Sequence, residues 1–333
     1  MKNTKWLNKP YYSLDAYCKE TFGEKCYKIA LDAGLSCPNR DGHVGTGGCI
    51  FCSGGGSGDF AQKLSTSTIR EQLQKGREKL SKKQIGNRYI AYFQAYTNTY
   101  GPVSYLKEIF TTALSLPDVI GISIATRPDC LDIKVLSLLR ELKNDYPDKF
   151  IWIELGLQTI HQDTADFIHR GYPLSVFEKA CVDLHNIGIP YIVHVILGLP
   201  YETQEMMYQT CSYLNQIPTG KPGVFLRPFG IKLQLLHILR DTALGNLYNR
   251  HELPGFSALT QDAYMELLIH CLEILHKDIV IHRLTGDGPK ESLIAPLWSL
   301  NKRNVLNTLH MTMRQRNTFQ GRCYYDAGTI DPL

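Results

Sequence analysis

Short apolar runs alternate with amphipathic stretches along most of this chain, and that rhythm restricts the fold more than any other feature. Strand-like runs fall at residues 26–31, 88–93, 118–124, 150–155, 190–196 and 229–235. Helical periodicity fills the gaps at 67–82, 104–116, 132–142, 175–187 and 203–214, with Thr203 as a helix start. Runs such as VIGISIA and IPYIVHVIL are apolar on successive residues, as in strands covered on both faces. Strands joined through helices lie parallel. Six such units predict an α/β fold whose parallel sheet curves into a barrel or partial barrel, with its chemistry at the C-terminal strand ends. After Tyr248 the alternation weakens into a helix at 257–276, a strand-like DIVIHRL and a mostly helical tail. The expected division is a core over 1–248 and a C-terminal extension over 249–333 packed on the barrel.

With 333 residues the chain is long enough to bury a large core. No apolar run approaches the roughly 18–20 residues of a membrane span. The longest, around 191–200, is interrupted by His194 and Gly198. The start, MKNTKWLNKPYYSLD, is polar and aromatic and lacks the apolar stretch of a signal peptide, so a cytoplasmic location is expected. A net charge of +4 is too small to announce a nucleic-acid binder by itself. Ten cysteines in a chain of this size, in a reducing compartment, point to metal ligation or simple burial rather than disulfides.

Three of them stand apart. In CPNRDGHVGTGGCIFC, Cys37, Cys49 and Cys52 follow the first strand in a C-x11-C-x2-C pattern. The glycines around them permit the turns and close approach that wrapping a cubane cluster needs. A second glycine-rich run, SGGGSGDF, follows at once. Three thiolates would leave one iron open for a further ligand. The same spacing also suits a structural zinc site completed by His43 or a distant cysteine, although zinc ribbons usually show a second C-x2-C pair and none occurs here. Cys18, Cys26, Cys130, Cys181, Cys211, Cys271 and Cys323 are isolated, and burial as small apolar side chains is their expected role.

Further blocks follow the cysteine loop in order: YFQAYTNTY, GISIATRPDC, WIELGLQT, VHVILGLPYET and RLTGDGP. Together with LDAGLSCPNRDGHVGTGGCIFC they resemble the bacterial Elongator-like group of the radical SAM superfamily, over residues 31–289. The first cysteine gap is longer than the three residues commonest in that superfamily, as in the Elongator-like branch. None of these blocks resembles the acetyltransferase domain of the Elongator catalytic subunit, so acetyl-CoA chemistry is not expected. The resemblance implies a partial (βα)6 barrel and a [4Fe–4S] cluster on Cys37, Cys49 and Cys52. It implies S-adenosylmethionine bound to the fourth iron and cleaved to methionine and a 5′-deoxyadenosyl radical.

The blocks mostly lie at strand ends. Gln94, Thr97 and Asn98 after the second strand stand where the superfamily contacts the methionine amino group, or form an ordinary polar turn. Glu154 is an acid inside an apolar strand, and it and Gln158 suit the cofactor's ribose hydroxyls. Ser123 and Arg127 end the third strand; Arg127 suits the methionine carboxylate or a salt bridge to Glu154. Gly198 allows close backbone approach to an adenine, whose face Leu199 would cover. His194 reads as a core histidine unless it points inward. No residue can be assigned to catalysis on the substrate.

Near the end, Lys302, Arg303, Arg314, Arg316 and Arg322 mingle with Trp298, Phe319, Tyr324 and Tyr325, a mixture that suits a phosphate backbone with stacked bases. A solvated helix face reads the same way, and only the resemblance favours tRNA. It implies wobble-uridine modification, more pointedly conversion of a carboxymethylaminomethyl side chain to an aminomethyl group for a separate methyltransferase. It also implies an electron donor of flavodoxin or ferredoxin type. Radical chemistry on a small metabolite and a zinc-stabilised RNA-binding protein without turnover are the alternatives. The substrate atom, the donor, the oligomeric state and the fate of S-adenosylmethionine are not legible.

Overall fold

Seven strands form one parallel sheet in this computed structural model, the first five of the chain side by side in chain order, then the eighth and the tenth. The structure describes residues 5–56, 58, 61, 68–81, 86, 88–286, 288–325 and 329–330. Outside them lie both ends of the helix expected at 67–82, three residues of the second glycine-rich run (57, 59 and 60) and position 287 of RLTGDGP. The sheet strands are β1 (Tyr27–Leu31), β2 (Tyr89–Phe93), β3 (Val119–Thr126), β4 (Phe150–Gln158), β5 (Tyr191–Leu197), β8 (Gly230–Leu235) and β10 (Val280–Arg283). Two short ladders flank it, one of β6 (Ile217–Pro218), β7 (Val224–Leu226) and β12 (Thr329–Ile330), the other of β9 (Ile238–Leu239) and β11 (Leu293–Ala295).

The helices are α1 (Leu14–Phe22), α2 (Ile69–Ser81), α3 (Val103–Leu114), α4 (Ile133–Asp145), α5 (Gln162–Phe167), α6 (Leu174–Asn186), α7 (Gln204–Tyr213), α8 (Ala243–Asn249), α9 (Gln261–Ile274) and α10 (Lys302–Gln315). Several start where the sequence offers a cap: the side chains of Ser13, Asp132, Thr203 and Thr260 accept from the backbone N–H three residues on. Among the described residues no helix is long and apolar enough to cross a membrane.

Alternation along β4 shows how the layers are made. Ile151, Ile153, Leu155 and Leu157 join the main core, while Phe150, Trp152, Glu154, Gly156 and Gln158 occupy the opposite face. The second set faces the hollow of the curled sheet in three levels. At the N-terminal end Trp152, Ile90 and Ile192 form an apolar plug. Helix α1 seals it through Tyr17, whose ring lies 4.9 Å from Phe229 and 5.9 Å from Trp152. A charged layer sits above, and the mouth opens at the C-terminal strand ends.

All six expected strands occur, and the sheet is a half-barrel of α/β type. The seventh strand is the difference. β10 comes from DIVIHRL, in the stretch read as an extension, yet it pairs in parallel with β8 through Val280↔Gly230 and Ile281↔Ile231. The strand-like run was legible there; its place in the main sheet was not, because that is set by the free ladder on β8 rather than by anything in DIVIHRL itself.

Candidate active site at the mouth of the half-barrel

Three positive-φ glycines, Gly42, Gly47 and Gly48, fold the cysteine loop back on itself; a Cβ at Gly48 would stand 2.8 Å from Arg40 Nε. The turn brings Cys37, Cys49 and Cys52 onto one cavity of about 220 Å³ at the C-terminal strand ends. These three thiols are neither sealed in nor exposed, whereas Cys18, Cys26, Cys181, Cys211 and Cys271 are buried as expected. Cys130 is only half-buried and Cys323 is exposed, so burial does not account for those two.

The thiols feel one another. Burial pushes the Cys49 thiol up to about 12, and Cys52 and Cys37 add to the rise, against Arg127 and the Asn39 amide. A buried thiolate with like-charged neighbours needs bound cations to stay ionised. Among the described residues no three His, Cys, Asp or Glu side chains converge as a single ion requires. A cubane takes three cysteinates on three separate irons, so three thiols on one cavity are donors of the right kind and number for a cluster.

Of the other sequence-derived residues, Gln94, Thr97, Arg127, Glu154 and Gln158 line the same cavity. Gln158 lies at a bulge where β4 slips against β5, with φ at 67° and its Oε1 buried without a partner among the described residues. A bulge at a strand end re-aims a side chain, and an unsatisfied buried acceptor there invites a ligand. Asn98 is buried, its Nδ2 donating to the carbonyls of Phe93, Ala95 and Ala125 at 3.0–3.1 Å, and so holds the turn after β2. Leu199 is buried in a satellite core with Ile196 and Leu236, and Gly198 donates its N–H to Met207 Sδ. Neither lines the cavity. Arg127 pairs with Asp129 through two bonds of 2.9 and 2.6 Å, not with Glu154, and lies over the Tyr172 ring at 4.8 Å.

Glu154 faces the cavity from the charged layer, but donors already surround it. Lys28 Nζ and Ser123 Oγ each donate to Oε1 at 2.5 Å; His194 Nε2 donates to Oε2 at 2.7 Å, and Lys232 Nζ also bonds Oε2. Lys232 reaches Tyr92 Oη at 2.9 Å as well. Burial alone would raise the Glu154 carboxyl, yet Lys232 and Lys28 hold it well below the ordinary carboxylate range. Burial, then Lys232, pushes His194 down to about 4, so a neutral ring donates its Nε2 proton to the carboxylate. Burial lowers Lys232 against the pull of Glu154.

Lys28 and Lys232 are functional-layer residues that the sequence reading passed over. Each is a lone charge inside a strand, YKIAL and GIKLQL, the same signal that singled out Glu154. Arg170 was missed too, and no motif announces it. Its buried guanidinium donates to the carbonyls of Leu157, Thr159 and Tyr172 and fixes the segment beneath the cysteine loop.

The C-terminal basic residues lie in different settings. Lys302, at the start of α10, is half-buried, and its lowered pKa comes from burial and then from Arg283, which lines the cavity. Arg316, past the other end, holds both oxygens of Glu266. Trp298 turns inward, its Nε1 donating to Leu259 O at 2.9 Å, while Phe319 and Tyr325 are exposed.

A parallel half-barrel with three thiols on a polar cavity at its C-terminal rim is the arrangement of an enzyme that does its chemistry at that rim. Family models agree: one described as the Radical SAM superfamily matches residues 41–214, and one described as the Radical_SAM C-terminal domain matches 228–315. The chain belongs to the radical SAM superfamily and is an enzyme of that type. It is 41% identical over 316 residues to YtqA of Bacillus subtilis, covering 95% of this chain and 93% of that protein. It is 22% identical over 175 residues to a tRNA uridine(34) acetyltransferase of Methanocaldococcus jannaschii, covering 53% of this chain and 30% of that one. An Elp3 structure from Methanocaldococcus infernus superposes with a TM-score of 0.65 at 15% identity. That match covers 89% of this chain and 64% of the other, and it shows the shared fold. Membership implies S-adenosylmethionine and a [4Fe–4S] cluster.

Proposed function

We propose that this enzyme holds a [4Fe–4S] cluster on Cys37, Cys49 and Cys52 and acts on tRNA, remodelling the side chain of a wobble uridine. The observation that carries the cluster reading is the gathering of the three thiols on one cavity with Gln94, Thr97, Arg127 and Gln158. When bound, the cluster and S-adenosylmethionine supply one-electron cleavage of the sulfonium to methionine and a 5′-deoxyadenosyl radical. The chain's own residues do the rest. Gln94 and Thr97 offer acceptors and donors to the methionine amino group, and Gln158 turns an open acceptor toward the ribose. Arg127, already charge-paired with Asp129, adds a fixed positive charge near the thiols. The apolar plug and α1 close the far end against water.

The tRNA reading is supported by the Elongator-like resemblance and by the relative named for tRNA uridine 34. In its pointed form, a carboxymethylaminomethyl group is converted to an aminomethyl group that a separate methyltransferase then takes. The electron comes from a flavodoxin- or ferredoxin-type donor. Nucleosides from tRNA of cells with and without this protein test the substrate. One wobble-uridine derivative should accumulate in the deletion and its successor disappear; identical nucleoside profiles would refute the tRNA reading and leave the superfamily chemistry standing.

A further inference from the structure

Asn39 lies in the cysteine loop two residues after Cys37, only 4% exposed, and every atom of its amide is placed by something. Nδ2 stands 2.6 Å from the carbonyl oxygen of His169 and 3.6 Å from Cys49 Sγ. A carbonyl oxygen accepts only from the nitrogen side, so the His169 contact fixes which way the amide faces. One amide proton is then given to His169 and the second points at the sulfur. Oδ1 fits where no side chain stands: a Cβ on Gly45 would lie 2.6 Å from it and one on Gly171 3.4 Å. The acceptor is held as firmly. His169 sits at φ 55°, and the guanidinium of the next residue, Arg170, ties it to the C-terminal end of β4. The backbone repeats the tie, Gly48 N–H donating to Asn39 O at 2.7 Å and Ile50 N–H to Ile168 O at 3.1 Å.

We propose that Asn39 is a positioning residue for the second cluster thiolate, whose N–H···S bond to Cys49 raises the cluster's reduction potential. The inference rests on the cluster reading. Reduction adds one electron to the cluster, from a low-potential one-electron donor, and no bond is made or broken. The added negative charge spreads onto the sulfurs and makes them better acceptors. A fixed donor therefore stabilises the reduced form more than the oxidised one, and hydrogen bonds to sulfur are among the known determinants of such potentials. A residue that only braced the loop would change how much cluster is held, not the potential of the cluster that is held.

The test uses anaerobically reconstituted holoprotein, titrated with dithionite and followed by electron paramagnetic resonance. Asn39→Ala removes both donors; Asn39→Asp keeps the shape and sets a negative oxygen in their place. The midpoint per loaded cluster should become more negative in both, further in Asn39→Asp. Wild-type protein labelled with 15N only at asparagine side-chain amides should show a 15N coupling to the reduced cluster, lost in Asn39→Ala. Midpoints that are unchanged or more positive at matched iron content would overturn the proposal. If neither variant takes up iron, the wild-type coupling decides: present, it supports the N–H···S bond; absent, it refutes it. Wild-type protein that binds no iron at all would refute the cluster reading itself, and this inference with it.

Discussion

The mouth and the floor of the half-barrel are built from similar polar residues, yet their valences are arranged in opposite ways. On the floor, Glu154 meets four donors from Lys28, Ser123, His194 and Lys232. At the mouth, three thiols share one cavity and Gln158 turns a buried oxygen to no described partner. A closed network holds a structure; an open one awaits a ligand. The difference separates residues that sequence logic grouped together, because Glu154 and Gln158 share a face of β4 and only one has its acceptors filled.

The largest expected effect lies at the mouth. Alanine at Cys37, Cys49 or Cys52 should abolish cluster assembly and all 5′-deoxyadenosine formation with little change in the melt of the apo-protein, while Cys181→Ala and Cys271→Ala should keep their iron. Iron and sulfide analysis beside a thermal melt checks this; a full iron complement in the triple variant would break the contrast.

On the floor the order reverses. Glu154→Gln leaves the buried Lys232 ammonium and the half-buried Lys28 ammonium facing no charge, which costs about 3–5 kcal/mol of stability. The fraction that folds should still assemble a cluster. Denaturant unfolding with iron analysis decides the point. Unchanged stability together with weaker S-adenosylmethionine binding would move Glu154 to the mouth.

The floor should also be sensitive to acid. His194 titrates near 4 in the fold and at 6.5 ordinarily, so between those values the unfolded chain binds more protons. Stability is therefore full above about 6.5 and falls as pH drops toward 4. Glu154, held below its ordinary value, extends the loss further down. Melts across this range should flatten in His194→Gln, and an unaltered slope would remove the histidine from the account.

Much of this was legible. Strand order, the parallel sheet and the cysteine loop are written locally, as runs and spacings within a few residues. DIVIHRL was legible as a strand but not as the seventh strand of this sheet, because its pairing with β8 joins residues about fifty positions apart. The charged floor was half legible: Glu154 stood out in its strand, but its partners lie on four other strands, and no spacing brings Lys28 and Lys232 together. Leu199 and Gly198 matched a motif, yet the turn after β5 packs Leu199 into a satellite core and commits the Gly198 N–H to Met207 Sδ.

A smaller effect sharpens the mouth. Gln158→Ala should weaken S-adenosylmethionine binding by about 0.5–1.5 kcal/mol, one hydrogen bond's worth, without lowering stability. Calorimetry on loaded protein measures it, and equal affinity would take Gln158 out of the site. The smallest effects belong to α10. Charge reversal at Lys302 and Arg303, at the cavity end, should lower the salt slope of tRNA binding by somewhat under one unit per lost phosphate contact. Reversal at Arg316 should change it less, since that guanidinium is held by Glu266, an exposed pair worth at most about 1 kcal/mol.

The most direct measurement is made on the whole protein, purified without oxygen and reduced in the presence of S-adenosylmethionine. The account predicts a brown protein with about four irons and four sulfides per chain, releasing 5′-deoxyadenosine and methionine slowly even without substrate. A colourless protein carrying zinc and forming no 5′-deoxyadenosine would contradict it.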